Sequence, residues 1–163
     1  MNKFDFIVHS SGGNDSIALQ QYLLNKGKNF AVLYNDTGWA RDDWKIRIED
    51  VIDWCAAYEV PFFKTEGEGM EALVRRKKGW PMPASNMQFC TQELKEKPTL
   101  AWLDKHDPNS ELTCVNGVRR EESQNRRTAP EWVDSSPRHG GRELWSPLVR
   151  HLEAERNSLI DQA

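Results

Sequence analysis

A short apolar run, Phe4-Asp5-Phe6-Ile7-Val8-His9, passes directly into Ser10-Ser11-Gly12-Gly13-Asn14-Asp15-Ser16, and few chain paths accommodate that junction. The run reads as a β-strand. Two adjacent glycines let the backbone bend tightly after it. Beyond them, Ile17, Ala18, Tyr22 and Leu24 recur at helical spacing between Asp15 and Asn25, and Gly27 closes the helix.

The alternation continues along the chain. Phe30-Ala31-Val32-Leu33-Tyr34 is almost continuously apolar, as expected of a strand buried on both faces. Asn35 to Ala40 reads as a turn. Trp44, Ile48, Val51, Ile52 and Cys55 predict a second helix, with Asp42 and Asp43 in its first turn, where the helix dipole favours acids. Val60 to Lys64 predicts a third strand, Glu68 to Lys78 a third helix, and Trp80 to Asn86 a proline-rich loop. Thr91 is placed to cap a helix running through Leu94, Leu100 and Leu103 to about Asp104, with Pro98 breaking or kinking it. Glu111 to Val115 predicts a fourth strand, Leu144-Trp145 one more short strand, and His151 to Gln162 a final helix. The expected architecture is a single α/β domain over residues 1–163. Its sheet is mostly parallel, of about five strands, with helices on both faces. Ligands of such sheets lie beyond the carboxyl ends of the strands, which directs attention to the turns at 10–16, 35–41, 64–69 and 116–126.

Composition narrows the function classes. Hydrophobic residues make up 38% and charged residues 29%, which fits a soluble globular chain. No apolar run is long enough to span a membrane, and the first residues predict no secretory signal peptide. Cys55, Cys90 and Cys114 are far apart and odd in number, so a reduced, cytoplasmic protein is expected rather than a disulfide scaffold. The net charge of −3 gives no bulk signal for nucleic acid. Charge is uneven, however: residues 116–150 hold seven arginines, no lysine and five acids. Arginine forks suit phosphate or carboxylate, and the same pattern also fits an arginine-rich loop paired with its own glutamates.

The first turn has the chemistry of a phosphate cradle. Its glycines point consecutive N–H groups into one concavity, the hydroxyls of Ser11 and Ser16 add donors, and the helix that follows presents its positive end. It is not a Walker A loop, which requires a lysine. A plain strand-to-helix turn capped by Asp15 or Ser16 is the alternative. Gly67 to Ala72 fits a dinucleotide pattern, but Glu66, Glu68 and Glu71 would repel a pyrophosphate. The four histidines show no metal-ligand spacing, and none is given a catalytic role.

Ser11-Gly12-Gly13-Asn14-Asp15-Ser16 directly after a first strand resembles the PP-loop of the N-type ATP pyrophosphatase superfamily. Within it the chain most resembles the phosphoadenosine phosphosulfate reductase family, of adenine nucleotide alpha-hydrolase-like (Rossmann-like) fold. Asn35-Asp36-Thr37-Gly38 is similar to that family's D-T-G turn, and Cys90 to Pro98 to its C-x-x-x-x-K-x-x-P block. Asn116 to Ser123 with Arg126 resembles its G-x-R-x-x-E-S-x-x-R block, and Leu144 to Leu148 its late P-L segment. The ordered set spans residues 4–148. The resemblance implies that Ser11, Gly12, Gly13, Asn14, Asp15 and Ser16 hold the phosphates of ATP or a related adenine nucleotide. It places adenine near Tyr34 and Asn35, over the ends of the first two strands, and counts Asp36, Thr37 and Gly38 among the nucleotide-binding residues. Gly117, Arg119, Arg120 and Arg126 join the nucleotide site, with the arginines as forks and Lys95 as a further phosphate contact. Asp15 acts through Mg²⁺ or as a helix cap. If residues 119–126 are helical, Glu122 pairs with Arg119 or Arg126. Catalysis then falls to Asp15, Lys95 and Arg119, with Cys90 as an optional nucleophile beside Lys95.

The chain also departs from the family pattern. Sulfonucleotide reductases carry a C-terminal nucleophilic cysteine, whereas the last cysteine here is Cys114. A four-cysteine iron–sulfur cluster cannot be built from Cys55, Cys90 and Cys114 within one chain. The helix around Arg156 resembles one that larger relatives follow with a further tail, so the expectation is a minimal or a truncated member. Adenylylation by PP-loop chemistry is therefore the leading expectation. Sulfonucleotide reduction, a sulfur-transfer or nucleic-acid-modifying subunit using Cys90, and a non-catalytic nucleotide-binding module stay open, as do a homodimer and a partner subunit.

Overall fold

Strand β1 (Phe6–Ser10) lies parallel to β2 (Phe30–Asp36), with Phe6 opposite Phe30 and Ser10 opposite Tyr34. Helix α1 (Asn14–Asn25) makes the crossover between them. The computed structural model describes residues 3–36, 38, 42–66 and 95–163. Helix α2 (Asp42–Ala57) leads to β3 (Phe62–Glu66), which pairs parallel with β2. Helix α3 (Lys97–His106) precedes β4 (Thr113–Val115), on the other side of β1. Strands β5 (Trp132–Ser136) and β6 (Arg142–Trp145) and helix α4 (Glu153–Gln162) follow. Among the described residues the sheet has six strands in the order β3-β2-β1-β4-β6-β5, all parallel except β5 against β6.

Both faces of the sheet are covered, as the apolar β2 run predicts. On one face Val8, Val32 and Val115 pack with Ala18, Leu19 and Leu23 of α1 and with Val51 and Cys55 of α2. On the other face Ile7, Ala31, Leu33 and Cys114 pack with Trp102 and Leu103 of α3. Strand order reverses at β1, whose neighbours β2 and β4 continue the chain in opposite directions. At that switch point the turns after β1 and β4 come together, Gly117 lying against the Asp15 backbone.

The fold confirms the α/β expectation and corrects details. The additional strand β5 lies in a stretch that reads as polar and arginine-rich. It is an edge strand with a register shift between Val133 and Ser136, so the alternation that reveals a strand is missing. Pro98 lies in the first turn of α3, and the part of the expected helix before Lys95, where a break or kink would show, lies outside the described residues. Residues 119–126 do not form one helix; Arg120–Glu122 and Gln124–Arg126 are separate 3₁₀ turns interrupted by an extended Ser123. Of the apolar residues read on α2, Ile48, Val51 and Cys55 are buried while Trp44 and Ile52 are exposed. The expected third helix at 68–78, the loop at 80–86, the Thr91 cap, and residues Thr37 and Cys90 lie outside the described residues. Among the described residues no helix is long and apolar enough to cross a membrane.

Candidate functional site

The turn after β1 is held by its own hydroxyls. The N–H groups of Ser11, Gly12 and Gly13 donate to the side-chain oxygens of Ser16, Ser10 and Ser11, each at 3.2 Å. Gly12 adopts φ +76°, which favours glycine, and a Cβ there would lie 2.5 Å from Ile48 Cδ1 on α2, so that side-chain tip would have to shift. Two side chains of α2 fix the opposite edges of these peptides. Trp44 Nε1–H donates to the Ser11 carbonyl at 3.1 Å, and Arg47 donates to the Gly12 carbonyl and to Asn14 Oδ1. A trans peptide points its N–H away from its carbonyl, so clamping the carbonyls on one side aims the N–H groups to the other.

Helix α1 begins with Gly13 as N-cap and has no side-chain cap. Neither Asp15 nor Ser16 caps it, since both lie inside the first turn. Its first internal bond is from Ile17 N–H to the Gly13 carbonyl, at 3.0 Å. The N–H groups of Asn14, Asp15 and Ser16 therefore have no intrahelical partner and stand at the positive end of the helix dipole.

Asp15 is the junction of the site. Its Oδ1 accepts Arg119 Nε at 2.8 Å and Arg156 Nη1 at 3.4 Å. Arg119 is only 5% exposed and also donates to Glu121 Oε2 at 3.1 Å; the same oxygen accepts the Glu153 N–H at 2.8 Å. Arg119 thus ties the turn after β4 to α1 and to the start of α4. Both arginine bonds fall on Oδ1, so Oδ2 accepts neither of them. Gly117 makes the junction sterically possible, because a Cβ there would stand 2.9 Å from the Asp15 carbonyl oxygen.

The other expected residues divide. Glu122 lies 3.9 Å from Arg119 and pairs with half-exposed Arg126, as the charge pattern predicts, although through 3₁₀ turns. Arg120 Nε donates to the Ala129 carbonyl at 2.9 Å, so part of its fork braces the following loop. Asn35 spans three elements: it donates to Thr99 Oγ1 at 2.8 Å and to the Lys95 carbonyl at 3.3 Å, and accepts from Thr65. Asp36 accepts the Gly38 N–H at 2.8 Å and lies 3.6 Å from Lys64 Nζ, closing the turn after β2. Tyr34 is buried at the end of β2, and burial, with Asp36 nearby, raises its phenol pKa. Trp44, Arg47 and Arg156 belong to the site and are not legible as such from spacing. Trp44 reads as a core residue of its helix and Arg156 as one charge on a polar helix.

The chain matches the model of the phosphoadenosine phosphosulfate reductase domain over residues 5–160. It is 28% identical over 123 residues to an uncharacterized protein of Methanocaldococcus jannaschii, covering 75% of this chain and 24% of that protein. The FMN adenylyltransferase of Candida glabrata, solved with FAD and inorganic pyrophosphate, shares the fold at 11% identity and a TM-score of 0.59, with 96% of this chain and 48% of that one aligned. The NH₃-dependent NAD synthetase of Campylobacter jejuni, solved with a nitrate ion, does so at 13% identity and a TM-score of 0.55, over 99% and 65%. The chain thus spans about a quarter of the archaeal relative and about half of the adenylyltransferase. With nearly all of its length covered by that one domain model, the chain belongs to the phosphoadenosine phosphosulfate reductase domain family.

Proposed function

We propose that residues 1–163 form one cytoplasmic PP-loop domain that binds ATP at the turn after β1 and cleaves it between the α- and β-phosphates. An acceptor oxygen attacks the α-phosphorus, its proton passing to solvent. The bond from that phosphorus to the β-phosphate oxygen breaks, and inorganic pyrophosphate leaves. The observation that carries this reading is the convergence at Asp15: uncapped α1 amides, the Ser11–Ser16 turn and two arginines meet at the switch point. Amides and guanidiniums fixed before the ligand arrives stabilise charge that develops on the departing pyrophosphate. Mg²⁺, when bound, neutralises phosphate charge, and Asp15 through Oδ2 is the residue that would hold it. A fold shared with an adenylyltransferase solved beside pyrophosphate supports the same chemistry.

The test is calorimetric titration with ATP, AMP and a 3′-phosphoadenosine nucleotide, with and without Mg²⁺, on the wild type and on folded Asp15→Ala and Arg119→Ala variants. Mg²⁺-dependent ATP binding, lost in both variants, is expected. Preference for the 3′-phosphorylated nucleotide would replace adenylylation with sulfonucleotide chemistry, and the absence of any binding would refute the site.

A further inference from the structure

On the α3 face of the sheet, three side chains with soft-metal chemistry meet at a place the nucleotide site does not use. His9 ends the inward-facing row of β1, Cys114 lies on β4, and His139 comes from the 3₁₀ turn Pro137–His139 between β5 and β6. One ligand atom from each lies within 4.8 Å of the other two. The imidazoles stand 4.9 Å apart, centroid to centroid, and Cys114 has no exposed surface.

The individual atoms point the same way. His9 Nε2 is buried without a hydrogen-bond partner, an arrangement that native interiors rarely tolerate unless a partner is missing. Ser136 Oγ lies 2.7 Å from His139 Nδ1. When Nδ1 donates to that oxygen, Nε2 carries the lone pair, the outer-shell arrangement that metal-binding histidines use. Burial, with His139 beside it, lowers the His9 pKa to about 3. Burial, with Arg138 and Arg142 nearby, lowers that of His139 to about 4, so both rings are neutral ligands at pH 7. Of the cationic groups nearby, Arg142 is neutralised by Asp107 Oδ2 at 2.8 Å and Arg138 lies 3.4 Å from Glu96 Oε1.

We propose that His9, Cys114 and His139 form a partly buried binding site for a thiophilic cation, Zn²⁺ or Cu⁺. One thiolate and two imidazoles select such ions over Mg²⁺ or Ca²⁺, which prefer oxygen donors. Bond lengths of about 2.0–2.3 Å set ligand atoms roughly 3.3–3.8 Å apart in a tetrahedral site, so the cluster needs to close by about 1 Å. Burial raises the Cys114 pKa to about 12, so binding exchanges the thiol proton for the metal: the S–H bond breaks, the S–metal bond forms and one proton is released.

The whole chain is refolded with Co²⁺ as the spectroscopic stand-in for Zn²⁺, and separately titrated with Cu⁺ against a coloured chelator. One ion per chain with a thiolate-to-cobalt charge-transfer band, or one Cu⁺ held against the chelator, is expected. The signal should vanish in Cys114→Ala and in His139→Gln, the second serving if the first does not fold, and stay in Cys55→Ala. Failure of the folded wild type to bind either ion overturns the proposal. So does a signal that survives Cys114→Ala or disappears only with Cys90→Ser.

Discussion

Asp107 sits just beyond the end of α3 and is 1% exposed, yet it carries a charge. Its Oδ1 accepts the Glu111 N–H at 2.9 Å, and its Oδ2 accepts the Leu112 N–H at 3.1 Å and Arg142 Nε at 2.8 Å. Arg142 is equally buried and also donates to the Asp107 carbonyl at 2.7 Å and the His139 carbonyl at 3.1 Å. Asp107→Asn keeps the volume but replaces one acceptor oxygen by an NH₂ that must face another donor. It also leaves the Arg142 guanidinium buried without its counter-charge, because Asp104, at 3.8 Å, is largely exposed. Removing one partner of a buried pair costs about 3–5 kcal/mol, a large share of the roughly 5–15 kcal/mol expected of a domain. In a chain of this size that lowers Tm by roughly 6–20 °C. Burial pushes the Asp107 carboxyl up, but the Arg142 hydrogen bond, the two N–H groups and the Arg142 charge hold it below the ordinary value. A depressed carboxylate stabilises the fold above its unfolded pKa and loses that contribution as pH falls through the folded one. The gap between wild type and variant should therefore be full at pH 7 and shrink below about pH 4. Urea titrations at several pH values measure it. A loss under about 1 kcal/mol at pH 7, or a gap that widens in acid, would refute the reasoning.

Gly117→Ala drives a Cβ against the Asp15 backbone at 2.9 Å and should push Arg119 off Asp15, lowering nucleotide affinity tenfold or more by titration. Gly27→Ala, where φ is +64° but nothing lies within 4 Å, should cost only about 1 kcal/mol and leave binding unchanged. Arg47→Ala frees the Gly12 carbonyl and should speed amide exchange at Gly12 and Gly13 by roughly tenfold, the worth of one hydrogen bond, as read by NMR. The neutral, partly buried His9 and His139 bind protons below pH 6.5 only in the unfolded chain, down to about 3 and about 4. Metal-free protein should therefore lose up to about 1.4 kcal/mol per pH unit for each between pH 6 and pH 4, and a flat urea-midpoint profile there would count against neutral burial.

What the sequence makes legible is what local chemistry decides. The β1 and β2 runs, the helix spacing behind Ala18 and Val51, and the Gly12-Gly13 bend are each written in neighbouring residues, and each appears where expected. Arg119 is legible as a fork within an arginine-rich stretch, but its acceptor Asp15 lies 104 residues away, and no spacing rule joins them. Trp44 illustrates the opposite failure. Its helical spacing with Ile48 says core, while the indole N–H instead reaches the Ser11 carbonyl, a contact created only when α2 packs across the turn. His9, Cys114 and His139 show no ligand spacing because β1, β4 and a turn each supply one of them.

The charge around Asp15 bears on how a nucleotide would be recognised. Arg119, Arg126 and Arg156 face Asp15, Glu121, Glu122 and Glu153, so the arginine forks are compensated before any anion arrives. In a chain whose net charge is −3, long-range attraction for a polyanion is correspondingly small. The carboxylates instead hold the guanidiniums in place, which removes the ordering cost that a loose arginine pays on binding. Recognition then depends on short-range donors, the α1 amides above all, whose strength survives salt because they are dipoles rather than mobile charges. Nucleotide affinity should accordingly fall only modestly between 50 and 200 mM salt. A steep decline would mean that uncompensated arginines, and not the amides, dominate the site.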